Sequence, residues 1–170
     1  PPAPPRPPLA WVEYDQQLSY DGPTVCKKDR CLVSAITRTV KSEIEARPAY
    51  DKIIITLDQN TNDEQFRTIT NLPWIRGLDM TYSLVSDLTP LNGLSVLEAV
   101  FLRGAYYEDQ RNRRTIDLST FSNLPRLRIL DVSHNDLTNL QVLTRLKSLR
   151  ELNLGFSDVV DISWAAEMPR

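Results

Sequence analysis

One histidine, two cysteines, five glycines and no long apolar run are what this 170-residue chain has little of, and each scarcity removes a class of function. With His134 alone, a His-based triad has a single candidate base. Cys26 and Cys31, in CKKDRC, are too few to staple a disulfide scaffold. Without supporting histidines they cannot complete a tetrahedral metal shell either. One local bridge between them and a pair of free thiols both remain open. No Ser sits in a GxSxG elbow, and there is no HExxH, P-loop or GxGxxG, so no catalysis, cofactor or metal is expected. Asp79 and Asp131 do not suggest a carboxylate pair for acid/base work. The net charge of −2 disfavours nucleic acid and anionic membrane, which select basic surfaces. No apolar stretch approaches the roughly 20 residues that span a bilayer. The chain starts at Pro1, with no initiator Met and no signal peptide. It therefore reads as a mature product or an expressed piece of one, with any targeting segment already gone.

What is there is a repeat. From Leu127 the apolar residues fall at Leu127, Leu130, Val132, Leu137, Leu140, Leu143 and Leu146, and the series restarts at Leu149, 22 residues on. No helix or strand has that period. It belongs to a supersecondary unit that buries its apolar face only by stacking on copies of itself. Within the unit, Leu130-Asp131-Val132 alternates like a short strand, and Asn135 stands at the corner, where its amide can satisfy backbone groups. Aligned on this frame, a first repeat carries Ile55, Leu57 and Asn60, with Phe66, Ile69 and Leu72 one residue late. A second begins at Ile75 and a third at Leu97. The next start, Leu127, comes 30 residues after Leu97, so eight residues are inserted, within Arg103 to Arg114. The fifth runs from Leu149 to Met168.

Leu127, Leu130, Val132, Asn135 and Leu137 resemble the leucine-rich repeat LxxLxLxxNxL, and the 22-residue length is most like the internalin-type class of bacterial repeats. Ser83 and Ser157 depart from it where the family usually has Asn, which predicts an incomplete asparagine ladder. The resemblance implies an α/β leucine-rich-repeat solenoid: a curved parallel sheet on the concave side, short helices or 3₁₀ turns on the convex side, and a helical N-terminal cap. The expected organisation is a Pro-rich extended lead over 1–23, a cap over 24–51 and about five repeats over 52–170. PPAPPRPPL is polyproline II, read as a spacer, with an SH3-type ligand (Pro1, Pro4, Arg6) as the other reading. Leu32, Ile36, Val40 and Ile44 recur every four residues and predict an amphipathic helix over about 29–46. Cys26 and Cys31 lie at its mouth, where a disulfide would pin the cap. Trp164 and Met168 close a last layer with no polar lid, which suggests self-association through an open end.

Function is expected on the residues between the leucines, which face the concavity. Asp79, Phe101 and Asp131 lie between the strand leucines, Arg103 just after the strand, and Tyr82, His134 and Phe156 one further on. Aromatics rimmed by charge fit a protein partner. The insertion adds Tyr106, Tyr107 and Arg111, a composition of interface hot spots on a loop longer than the repeat needs. The reading is a non-enzymatic protein-recognition module that acts outside a bacterial cytoplasm, with a cytoplasmic location as the other option. The alternatives are the targeting half of a larger effector enzyme of ubiquitin-ligase type and a structural, oligomerising role.

Overall fold

The spacing of three between inward leucines decides how the chain winds. Leu72, Leu94, Leu124 and Leu146 donate their backbone N–H to Ile69, Leu91, Phe121 and Leu143, and Ile75, Leu97, Leu127 and Leu149 in turn donate back to those four leucines. Each link is a three-residue turn. A 3₁₀ helix also has three residues per turn, so apolar groups three apart fall on one face. The convex side is accordingly 3₁₀ at Thr68–Asn71, Thr89–Gly93, Leu118–Asn123, Leu140–Arg145 and Ser163–Glu167.

A computed structural model describes residues 24–27, 30–33, 35–47, 50, 53–104 and 113–168 of the protein; the Pro-rich lead lies outside them. Among the described residues one seven-stranded sheet runs β1 (Thr24–Lys27), β2 (Arg30–Val33), β3 (Ile54–Leu57), β4 (Gly77–Asp79), β5 (Ala99–Phe101), β7 (Ile129–Asp131) and β9 (Glu151–Asn153). β1 and β2 form an antiparallel hairpin, and every later pair is parallel and in register, Leu78 on Val100 on Leu130 on Leu152. A separate parallel pair, β6 (Thr115–Asp117) and β8 (Asp136–Thr138), lies after the insertion. This is the solenoid the repeat implies. Its core runs unbroken from Val33 through Leu57, Leu78, Val100 and Leu130 to Leu149. Burial then fades: Leu152, Leu154, Trp164 and Met168 are only partly covered.

The N-terminal region differs from the expected helix over 29–46. Residues 30–33 are strand, and α1 is confined to Arg38–Glu45. Arg30-Cys31-Leu32-Val33 finds backbone partners along β3, so pairing overrides the four-residue spacing. Thr37 starts the helix, its Oγ1 accepting from the Val40 amide at 3.2 Å. Only Val40 and Ile44 are buried from the helix itself. Cys26 and Cys31 stand opposite each other across the hairpin and are joined by a disulfide. The first repeat also carries one extra residue. Asn60 is exposed, and the buried corner group is Thr61 instead, whose carbonyl accepts from Leu84 N–H.

Candidate functional site

The rim of the sheet repeats one local motif. Asp79 Oδ1 accepts from Thr81 N–H (3.0 Å), Asp131 Oδ1 from Ser133 N–H (3.0 Å) and Asn153 Oδ1 from Gly155 N–H (2.9 Å). These are Asx turns, in which a short polar side chain imitates the next turn of backbone. In each, the residue following the turn is left-handed: Tyr82 (φ 61°), His134 (φ 59°) and Phe156 (φ 56°). The third repeat shows why the acceptor matters. Phe101 stands where the others have Asp or Asn, and Gly104, the residue best able to be left-handed, has no positive φ. Like Tyr82 and His134, whose N–H groups donate to Arg103 O and Gly155 O, it donates its N–H to the next repeat, at Ser133 O (2.9 Å). A Cβ added there would meet the His134 carbonyl oxygen.

This motif corrects part of the expected recognition face. Asp79 and Asp131 are each 3 % exposed, because both oxygens are engaged. Asp79 Oδ2 pairs with Arg30 at 2.8 Å, and Asp131 Oδ2 accepts from Asn153 Nδ2 at 3.1 Å. Phe101, expected to face the concavity openly, is 1 % exposed and packs with Ile54, Ala99 and Ile129 as a second apolar cluster on the concave side of the sheet. Ile54, Ala99 and Ile129 were missed, and their signal was visible. Ile53-Ile54-Ile55 and Ala99-Val100-Phe101 are continuous apolar runs, the mark of strands buried on both faces.

What remains exposed is the left-handed column. Tyr82 is 48 % and Phe156 70 % exposed. His134, at 7 %, is largely covered. Its ring stacks on Phe156 with centroids 4.6 Å apart, and Arg103 Nη2 lies 3.4 Å from its Nε2. Arginine is only a donor, so the contact suits a neutral ring with Nε2 accepting. Burial pulls the His134 pKa below the usual 6.5, Arg103 and Arg113 push it the same way, and Asp131 opposes them. The structure thus brings Tyr82, Arg103, His134 and Phe156 to one edge. Tyr106, Tyr107 and Arg111 lie outside the described residues.

The end of the insertion is tied down. Arg113 Nη1 reaches Asp158 Oδ1 at 3.2 Å and Asp136 Oδ1 at 3.7 Å. Arg114 Nη1 donates to Val85 O at 2.6 Å, and its Nε lies 3.4 Å from Asn135 Oδ1. Asn135 Nδ2 in turn points at the carbonyls of Leu102, Val132 and Ser133. At Ser83 the hydroxyl reaches only Met80 O of its own repeat. Arg114 therefore spans the gap a short side chain leaves. Burial lowers its pKa from the usual arginine range while Asp63 raises it, and it stays charged. Among the described residues no group of three or more His, Cys, Asp or Glu could hold a metal ion, and no helix is long and apolar enough to cross a membrane.

The repeat fold is matched among known proteins. The Leucine rich repeat family matches residues 110–159. Among solved structures, internalin C2 of Listeria monocytogenes is 31 % identical, with a TM-score of 0.52 over 69 % of this chain and 49 % of that one. An internalin, product of the inlF gene, of the same organism is 20 % identical, with a TM-score of 0.49 over 69 % of this chain and 39 % of that one. The chain thus spans about half the length (49 %) of internalin C2. No curated protein matches.

Proposed function

We propose that this chain, an internalin-like leucine-rich-repeat protein and by that fold a protein–protein interaction module, grips a protein partner at the rim of its concave face through Tyr82, Phe156 and the Arg103–His134 pair, assisted by Tyr106, Tyr107 and Arg111 of the insertion. It does so without catalysing a reaction. The carrying observation is that two exposed aromatic side chains occupy left-handed backbone in register. Gly or Asn would be cheaper there by about 1 kcal/mol, and strain of this kind collects where a side chain is needed. Aromatic anchors beside an arginine are also the usual makings of a binding hot spot.

The test is to isolate a partner by cross-linking to the native protein, then measure its affinity for a Tyr82→Ala/Phe156→Ala variant. Loss of about 2 kcal/mol or more is expected; unchanged affinity sinks the rim reading. A Tyr106→Ala/Tyr107→Ala variant tests the loop separately. The Cys26–Cys31 bond supports a site of action outside the bacterial cytoplasm, since such bonds persist in oxidising compartments. Two free thiols on non-reduced protein from its source would count against that.

A second reading, self-association, is favoured by Val160 and Ile162, which are 99 % and 67 % exposed beside the thinly covered last layer. Light scattering over a concentration series decides it: a mass that stays at one chain rules it out.

A further inference from the structure

One register position, just before each strand, stacks Arg76, Glu98, Arg128 and Arg150 in consecutive repeats. Glu98 donates its N–H to Arg76 O, Arg128 to Glu98 O, and Arg150 to Arg128 O. Neighbours in such a column are about 4.8 Å apart, so the charges along it run plus, minus, plus, plus. The first two neutralise each other: Glu98 Oε1 takes Arg76 Nε at 2.8 Å and Nη2 at 2.7 Å. The last two are register neighbours of like charge, which destabilises a sheet, and Arg150 Nη1 donates to the carbonyls of Leu149 (2.9 Å) and Lys147 (3.3 Å) rather than to a carboxylate. Among the described residues no carboxylate pairs with Arg126, Arg128 or Arg150. Glu98 does not serve, because its Oε2 is buried and accepts from no group, so Arg128 is turned elsewhere. It turns to an open recess of about 200 Å³ lined by Glu98, Arg126, Arg128, Ser148 and Arg150. This concentration of positive charge belongs to a chain whose net charge is −2.

We propose that this recess is a second recognition site, which seats the carboxylates of an acidic segment of a protein partner between Arg128 and Arg150, with Arg126 at its mouth. Guanidinium groups bind planar carboxylates through paired N–H donors. Ser148 Oγ donates its hydrogen to Pro125 O at 2.8 Å, so it has no O–H left for the anion, and the arginines carry the binding. The site is separate from the rim and does not depend on it.

Calorimetric titration of the full chain with a hexaglutamate peptide tests the proposal. Native protein is expected to bind it, and 0.5 M salt to weaken binding steeply. Arg128→Gln and Arg150→Glu are each expected to weaken it at least tenfold, while Tyr82→Ala/Phe156→Ala leaves it unchanged. Arg150→Glu restores alternating charge along the column, so its melting temperature rises as its binding falls; a merely structural arginine would lower both. Failure of native protein to bind hexaglutamate overturns the proposal. So does binding unaffected by Arg128→Gln, a lower melting temperature for Arg150→Glu, or binding of inorganic phosphate with none of the peptide.

Discussion

An aromatic side chain on left-handed backbone carries its strain in every molecule, bound or free. Tyr82→Gly should therefore hold or raise stability in urea, by up to about 1 kcal/mol, while weakening partner binding. A clear loss of stability would mean that the tyrosine is there for packing. His134 makes a prediction of the opposite kind. Its pKa is lowered in the folded protein, so below about pH 6.5 the unfolded chain takes up a proton that the folded one refuses. Stability should fall as pH drops through that window, and His134→Gln should flatten the slope. Asp63, Asp87, Asp117 and Asp161, also lowered, from 3.8, act only at and below the ordinary carboxylate range, so thermal melts between pH 5 and 7.5 isolate the histidine. At this scale the sequence was half legible. Register alone placed Tyr82, His134 and Phe156 in one column, because that column is set by the repeat. It misplaced Asp79, Asp131 and Phe101, because alternation says which side of a strand a residue is on and not whether that side is covered.

Among the elements, the connections between repeats are more particular than the repeats. Gly104→Ala would drive a Cβ into the His134 carbonyl. Backbone is a poor thing to displace, so a loss of roughly 1–3 kcal/mol is expected, read from urea midpoints. Arg114→Met leaves the Val85 carbonyl without its donor at 2.6 Å and should cost about 1–3 kcal/mol; near-neutral behaviour would show that water replaces the guanidinium. The eight-residue excess was plain from spacing, and so was the shortfall at Ser83. That the one answers the other was not, since it needs Arg114 beside two repeats at once. The helix over 29–46 failed for a related reason. Leu32 and Ile36 are both buried, as an amphipathic helix requires, but a strand and an extended turn bury them equally well, and only the availability of β3 as partner chooses between these.

For the molecule as a whole, the period of 22 was enough to give the architecture, because three-residue turns leave little freedom once the leucines must all point inward. Leu130→Ala removes a fully buried side chain between two neighbours in the stack and should cost about 2–5 kcal/mol. Each repeat touches mainly those on either side, so protection need not be uniform. Amide hydrogen exchange should be slowest across β4, β5 and β7 and fastest beyond Leu154, where the last layer is thinly covered. Equal protection throughout would indicate that the stack opens as one unit.

The in-register sheet also makes the protein a ruler. Tyr82 follows β4 and Phe156 follows β9, three strand steps away across β5 and β7, or roughly 14 Å at the usual strand spacing. The insertion does not alter this distance, since β5 pairs directly with β7. Duplicating residues 127–148 would lengthen the gap by one graduation and leave both aromatic groups in their native turns. A partner that reads the two together should then discriminate among such variants by integer steps, and affinity should drop with a single added unit even though no contacting residue has changed.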